Sequence, residues 1–314
     1  MYNIDMESFD PDKIYDLIII GGGPTAIACA VYAARFAIDV LIIGKVFGGL
    51  IATTDIVENY PAITSITGQG LMDMFKDHMN SLKIPYISDE INNIENAGDH
   101  FILSSFFQKF KARSLCIATG SERRKLGIPG EEKFAGKGVS YCATCDGPFY
   151  KDKIVAVVGG SDSAAKEALF LAQNARKVYI IYRREEIRAE PINKKRVYAN
   201  KKIEIINNTN VIEIRGDSKV EQVIFDTGSK LEVDGVFIEI GTIPNSELAK
   251  KLGVKINEKG EIIINRKSET NISGVYAAGD VANAPFKQAI TGVAEGVIAA
   301  YSAFDYLKEV KIEY

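Results

Sequence analysis

Residues 16–45 read DLIIIGGGPTAIACAVYAARFAIDVLIIGK, and residues 154–183 read IVAVVGGSDSAAKEALFLAQNARKVYIIYR. The two stretches align at one constant offset (159 − 21 = 138), which sets Gly21 on Gly159, Ala26 on Ala164, Ala30 on Ala168, Val40 on Val178 and Ile43 on Ile181. Each copy is an apolar run of strand length, a glycine-rich turn, an alanine-rich helical stretch and a second apolar run. Neither run alternates as a half-exposed strand would, so each copy predicts a βαβ unit with a buried parallel pair. Copies this far apart predict two dinucleotide-binding domains rather than a solenoid, whose repeats are much shorter.

The glycines have a physical task. In G-x-G-x-x-G/A the first permits a tight turn and the second lets backbone approach a pyrophosphate. The third position stays small so that helix packs on strand, and the helix N-terminus then faces the phosphates. The first copy supplies Gly21, Gly23 and Ala26; the second supplies Gly159, Ser161 and Ala164, a serine replacing the middle glycine. Two copies in register make nucleotide binding the better reading over a purely structural turn. The second copy ends in Tyr182-Arg183-Arg184, with Arg188 four residues on. Guanidinium forks suit a 2′-phosphate better than a free ribose diol, so this copy reads as an NADPH site. The bland alternative is a charge patch paired with Glu185 and Glu186. The first copy ends in Gly44-Lys45 with no acid, so this rule does not assign its ligand.

Composition bounds the function. The 314 residues suit about two domains at roughly 150 residues each. Lys+Arg at 38 against Asp+Glu at 41 leaves a net charge of −3, which argues against a basic nucleic-acid face. Hydrophobic residues at 46% and charged residues at 25% exclude a disordered or fibrous chain. The four Cys exclude a disulfide-dense scaffold, and the two His (His78, His100) argue against His-rich metal chemistry. The opening MYNIDMESFDPDKIY carries four acids and no basic n-region, and the apolar stretch Leu17–Ala34 is broken by Gly21-Gly22-Gly23-Pro24. A soluble cytoplasmic protein without signal peptide, membrane or nucleic-acid partner is expected.

Cys142-Ala143-Thr144-Cys145 is the only close cysteine pair. C-x-x-C permits an intramolecular disulfide and favours thiol–disulfide exchange. Read as half a zinc site it lacks a second pair of ligands. Asp146-Gly147-Pro148 follows; it is a turn, and its carboxyl stands where it can move protons for a dithiol. Cys29 and Cys116 fall inside a helix and an apolar strand and read as packing residues.

With these motifs in place, the chain resembles the low-molecular-weight thioredoxin reductases of bacteria and archaea over nearly its whole length. The resemblance is carried by GGGPTAIACAVYAAR at 21–35, Gly48-Gly49 with VENYP at 57–61, ATG at 118–120 and SYCATCDG at 140–147. YRREEIRA at 182–189, GVYAAGDV at 274–281 and KQAITGVAEG at 287–296 complete it. The pair lies between the nucleotide motifs, as in this smaller class, not inside the first domain.

The resemblance implies an α/β fold of two Rossmann-like, three-layer (ββα) dinucleotide-binding domains, the second inserted into the first. FAD would occupy a discontinuous domain of residues 1–118 and 247–314, and NADPH a domain of residues 119–246. Hinges would lie near Thr119–Ser121 and Ile243–Ser246, with rotation of the domains an obligatory step. By motif, Gly21, Gly23, Pro24, Thr25 and Ala26 hold the flavin nucleotide's pyrophosphate. Gly44, Gly48, Gly49, Asn59, Gly279 and Asp280 line the rest of that site, and Lys287, Gln288 and Ala289 approach the isoalloxazine. Gly159, Gly160, Ser161, Asp162, Ser163 and Ala164, with Arg183, Arg184 and Arg188, take NADPH.

The implied activity passes hydride from NADPH to FAD, then electrons to Cys142–Cys145, then to thioredoxin or a similar protein disulfide. Cys145 faces the flavin, Cys142 is the exchange thiol and Asp146 the acid/base; no metal is implied, and a homodimer is. The competing readings are an NAD(P)H oxidase or peroxiredoxin-linked reductase of the same family, and a flavin-binding redox sensor. Four positions depart from the pattern: Leu50 for a usual Gln, Tyr182 for a usual His, Lys166 for a common Glu, and Ser161 for the fingerprint Gly.

Overall fold

The computed structural model describes residues 13–312; residues 1–12, which hold most of the acidic opening, and 313–314 lie outside the described residues. The chain forms two compact units, one of residues 13–122 and 244–312 and one of Arg123–Ile243.

The first unit opens with β1 (Ile14–Ile20), α1 (Pro24–Arg35), β2 (Val40–Ile43), α2 (Gly68–Ser81), β3 (Tyr86–Ile87), β4 (Asn93–Asn96), β5 (Phe101–Ser104), β6 (Lys109–Ile117) and β7 (Ser121–Arg123). The second contains β8 (Val139–Ser140), α3 (Ala143–Asp146), β9 (Ile154–Val158), α4 (Asp162–Asn174), β10 (Lys177–Ile181), α5 (Pro191–Ala199) and β11 (Ile203–Ile206). It continues through β12 (Val211–Arg215), β13 (Gln222–Phe225), β14 (Lys230–Glu232) and β15 (Gly235–Ile238). The chain then returns through β16 (Thr242–Pro244), α6 (Glu247–Lys251), β17 (Val275–Ala277) and α7 (Ala289–Ile312).

Both repeats fold as the expected βαβ units. β1 pairs parallel with β2, Leu17 opposite Val40, and β9 pairs parallel with β10, Val155 opposite Val178. In the first unit the parallel order is β3-β2-β1-β6, and β6 serves two further partners along its other edge. Its N-terminal half carries the antiparallel β5 and β4, while its C-terminal half takes β17 in parallel. The second unit has the parallel order β11-β10-β9-β15-β8 and a separate antiparallel sheet β12-β13-β14.

A strand's side chains alternate between faces, and here both faces are covered. Leu17 and Ile19 of β1 pack with Ala26, Ala30 and Ala33 of α1 and Ala299, Ala300 and Ala303 of α7. Ile18 and Ile20 pack on the other side with Phe101, Leu103 and Phe110 of the antiparallel strands. The second unit repeats this plan: Val155 and Val157 meet Ala164, Ala165 and Ala168 of α4, while Ala156 and Val158 meet Val211, Val223 and Phe225. Burying a Leu or Ile side chain fully contributes ~1.5–3 kcal/mol, so these uninterrupted apolar strands are what hold each glycine turn in place. A small residue of α7 also lets it approach α1: a methyl at Gly296 would run into the Thr25 carbonyl.

Among the described residues no helix is long and apolar enough to cross a membrane, and no cluster of His, Cys, Asp or Glu could hold a metal ion.

Candidate functional site

The first glycine turn is built by β1, β2 and α1. Gly21 has φ +137°, and a methyl there would strike the Ala118 carbonyl, so only glycine fits. Its N–H donates to the Ile43 carbonyl at 2.8 Å, which ties the turn to the end of β2. Gly44 packs against the Gly21–Gly22 backbone and accepts from the Tyr86 hydroxyl at 2.8 Å; burial pushes that phenol up to about 12. Gly48 donates to the Gly22 carbonyl at 2.8 Å, which brings Gly48-Gly49 over the turn.

Gly23 differs from its neighbours. It has ordinary extended backbone (φ −83°), no heavy atom of the described residues other than its own and its chain neighbours' lies within 4 Å of where a Cβ would stand, and it puts no side-chain cap on α1. The helix thus begins at Pro24, which has no N–H to satisfy, and the Thr25 and Ala26 amides that follow carry no side-chain cap, so the positive end of its dipole is an arrangement suited to a pyrophosphate. The open cradle and bare helix end fit the phosphates of a dinucleotide.

Around this turn the sequence motifs converge. Gly279 (φ +79°) abuts the Thr25 side chain and donates its N–H to the Glu295 carboxylate at 2.8 Å. Asp280 accepts from the Ser121 hydroxyl at 3.5 Å, and burial raises its carboxyl above the usual range. Lys287 donates to the Asp280 carbonyl at 2.8 Å and pairs with Glu261 at 2.6 Å, so its ammonium is committed within the protein. Asn59 donates to the Gln288 side chain at 3.0 Å, joining VENYP to the start of α7, where Ala289 stands. Glu295 escaped the sequence reading, although it lies inside the quoted KQAITGVAEG motif.

The second turn repeats the first with altered chemistry. Gly159 has φ +150° and would clash with the Glu239 carbonyl if it carried a methyl. Gly160 lies flat against the Tyr182 ring, which is buried. Ser161 is the N-cap of α4 but makes no side-chain capping bond; Ser163 is exposed in its first turn and Ala164 is buried. The Asp162 carboxylate is engaged internally, accepting from the Glu190 N–H and the Asn193 amide at 2.9 Å each and pairing with Lys166 at 2.9 Å.

Arg183 and Arg184 are exposed at the end of β10. Arg188 returns to the same turn: its N–H donates to the Gly160 carbonyl at 2.6 Å, and its Nε donates to the Tyr182 hydroxyl at 2.9 Å. Glu186 pairs with Lys194.

The cysteine pair sits on a third feature of this unit. Cys142 and Cys145 are joined by a disulfide, with Cα atoms 5.4 Å apart, across the single turn of α3. Cys142 is the half-buried N-cap and Cys145 is exposed. The Cys145 N–H points at Cys142 Sγ at 3.2 Å, so a thiolate on Cys142 would find a donor in place. Ser140 fixes the approach, its Oγ accepting from the Cys142 N–H at 3.1 Å. Asp146 closes α3 and lines a cleft of about 320 Å³ with Phe149, Tyr150, Lys137 and Lys153. Cys29 and Cys116 are buried in the other unit, and a hydrogen bond between them, helped by burial, pushes the Cys29 thiol up.

Beneath α3 the structure adds residues that no motif named. Glu167 of α4 accepts from the Ala143 N–H at 3.4 Å and lies 3.5 Å from Arg123, which also pairs with Glu239. Its signal in the sequence is a carboxylate at a helical position flanked by the buried Ala164, Ala168 and Leu171.

The model of the pyridine nucleotide-disulphide oxidoreductase family matches residues 15–296. The chain is 39% identical over 307 residues to a thioredoxin reductase of Bacillus subtilis (strain 168), covering 96% of this chain and 97% of that one. A crystal structure of Lactococcus lactis thioredoxin reductase matches with a TM-score of 0.91 at 36% identity, over 94% of this chain and 99% of that chain. That of T. acidophilum thioredoxin reductase gives 0.89 at 36% identity, over the same shares of 94% and 99%. This chain belongs to the pyridine nucleotide-disulphide oxidoreductase family and, within it, to the thioredoxin reductases.

Proposed function

We propose that the protein is an NADPH-dependent thioredoxin-disulfide reductase carrying FAD. The observation that carries this reading is the bonded Cys142–Cys145 pair, with the Cys145 N–H on Cys142 Sγ, in the same unit as the second glycine turn. The unit of residues 13–122 and 244–312 is assigned to FAD and that of Arg123–Ile243 to NADPH. Bound FAD supplies a two-electron relay between reduced nicotinamide and the disulfide.

The chain's own residues divide the remaining work. Gly21, Gly23, Pro24, Thr25 and Ala26 seat the flavin nucleotide's phosphates at the start of α1. Gly44, Gly48, Gly49 and Asn59 shape the surrounding wall, with Gly279, Asp280, Lys287, Gln288 and Ala289. Gly159, Gly160, Ser161, Ser163 and Ala164 seat NADPH, Asp162 braces the turn through Asn193, and Arg183, Arg184 and Arg188 meet the 2′-phosphate. After reduction, Cys142 holds the thiolate that attacks the partner's disulfide, Cys145 then attacks Cys142 Sγ in the mixed disulfide to re-form the Cys142–Cys145 bond and release the partner's thiolate, and Asp146 carries the proton that thiolate takes up.

The protein is assigned to the cytoplasm, whose reducing poise keeps such a dithiol in turnover, and is expected to act as a homodimer. Steady-state reduction of thioredoxin by NADPH tests the function. Activity abolished in Cys142→Ser supports it. Peroxide or oxygen consumption without thioredoxin reduction would move the protein to the oxidase reading, and a dithiol that titrates without turnover to that of a sensor.

A further inference from the structure

The buried charges under α3 are out of balance. Two carboxylates, Glu167 and Glu239, share one guanidinium, that of Arg123. Arg123 is in direct contact with Glu239 and stands 3.5 Å from Glu167. Glu167 Oε1 also receives the Ala143 N–H at 3.4 Å, but its Oε2 is buried without a hydrogen-bond partner among the described residues. The rest of its surroundings offers little compensation. The strands under α4 present the apolar Val155, Val157, Val178 and Ile180. On its own helix Lys166 is spent on Asp162, and the neighbouring α3 segment brings Asp146 and Tyr150. One cation cannot neutralise two carboxylates in a dry site, and the less well held of the two is the one that keeps its proton. Burial accordingly pushes the Glu167 carboxyl up to about 7, against the partial relief that Arg123 and the Ala143 N–H provide.

The Ala143 N–H belongs to the residue that follows Cys142, so Glu167 grips the backbone of the redox turn itself. We propose that Glu167 is a positioning residue for the Cys142–Cys145 couple, holding Ala143 and linking its own charge to the charge on the sulfurs. The proposal rests on the pair being a turnover centre. Two-electron reduction breaks the S–S bond and leaves two sulfur anions, protonated from solvent according to pH. An ionised Glu167 opposes negative charge on Cys142, whereas a neutral one does not. Reduction at neutral pH therefore draws a proton onto Glu167 as well as onto sulfur, and attack by Cys142 on a partner disulfide releases it.

The test follows iodoacetamide alkylation of Cys142 in the reduced flavin-loaded enzyme between pH 5.5 and 9, read by peptide mass. In wild type and Glu167→Gln the rates should coincide at pH 5.5, where the side chain at position 167 is neutral in both. Above pH 7 they should part, the apparent pKa of Cys142 falling by about one unit in the variant because a like charge has gone. Glu167→Asp, which restores a carboxyl, should recover a pH-dependent difference from Glu167→Gln. Superimposed profiles, or profiles displaced by one constant factor at every pH, overturn the proposal, since loss of shape alone has no reason to track this titration.

Should Glu167→Gln not fold, the infrared carboxyl band of glutamate-labelled wild type decides instead. A band lost as pH rises through 7 and displaced on dithiol reduction supports the linkage, and a band indifferent to reduction overturns it. Alkylation needs no turnover, so a failure here is separable from a failure to reduce thioredoxin.

Discussion

Two glycines two residues apart should fail in opposite ways when given a methyl group. At Gly21 the backbone has φ +137° and the methyl would meet the Ala118 carbonyl, so Gly21→Ala strains the protein with or without a ligand. A residue forced into such a conformation costs about 1–3 kcal/mol before the steric conflict is counted. At Gly23 the backbone is ordinary (φ −83°) and, among the described residues, nothing beyond its chain neighbours stands within 4 Å of the added atom. Gly23→Ala should therefore leave the flavin-free protein within about 0.5 kcal/mol of wild type.

The space at Gly23 is what the proposed pyrophosphate needs. A phosphate pushed off even one amide loses a charge-assisted bond of ~1.5–3 kcal/mol, or roughly ten- to a hundredfold in affinity. The assay is urea unfolding of both flavin-free variants beside FAD titration followed by flavin fluorescence. Stability lost in Gly21→Ala, and affinity alone lost in Gly23→Ala, is the expected pattern. A Gly23→Ala protein that binds FAD as tightly as wild type would refute the assignment of this turn.

Two further outcomes follow from the second unit. Removing the Tyr182 hydroxyl frees the Arg188 Nε it now accepts from, so Tyr182→Phe should raise KM for NADPH several-fold with little change for NADH; initial rates with both nucleotides check it. Glu167 is expected to tilt stability with pH. Its folded value of about 7 lies above the ordinary 4.5, so the folded state holds more protons than the unfolded one between those values. Stability is therefore lost as pH rises through that window, by on the order of 3 kcal/mol, and Glu167→Gln should flatten the profile measured by urea unfolding at successive pH.

The duplicated βαβ plan was legible because it depends on neighbours in sequence: uninterrupted apolar runs, a glycine turn and small helix residues. Even the alternate faces of β1 and β9 can be read from their register once both strands are known to be buried. The covering sheet β12-β13-β14 was legible only through the resemblance, which implied a ββα layering, and not from its own residues, since its strands are short and carry charged residues such as Glu213 and Lys230. The same limit applies within the candidate site. Cys142, Cys145 and the turn glycines announce themselves by spacing. The Glu167–Ala143 bond spans 24 residues, and the tie from Asp162 to Asn193 spans 31. Only the packing of α4 between those segments makes these contacts, and no periodicity encodes them.

On the proposed route, one chain passes electrons from NADPH through a flavin to Cys142–Cys145. Anaerobic titration of the flavin-loaded protein with NADPH, followed by the flavin absorbance and by counting free thiols, tests it most directly. Wild type should take up about two molar equivalents per chain, one for the flavin and one for the disulfide, and Cys142→Ser about one. Flavin bleaching with no new thiols in wild type, or equal uptake by both proteins, would contradict it.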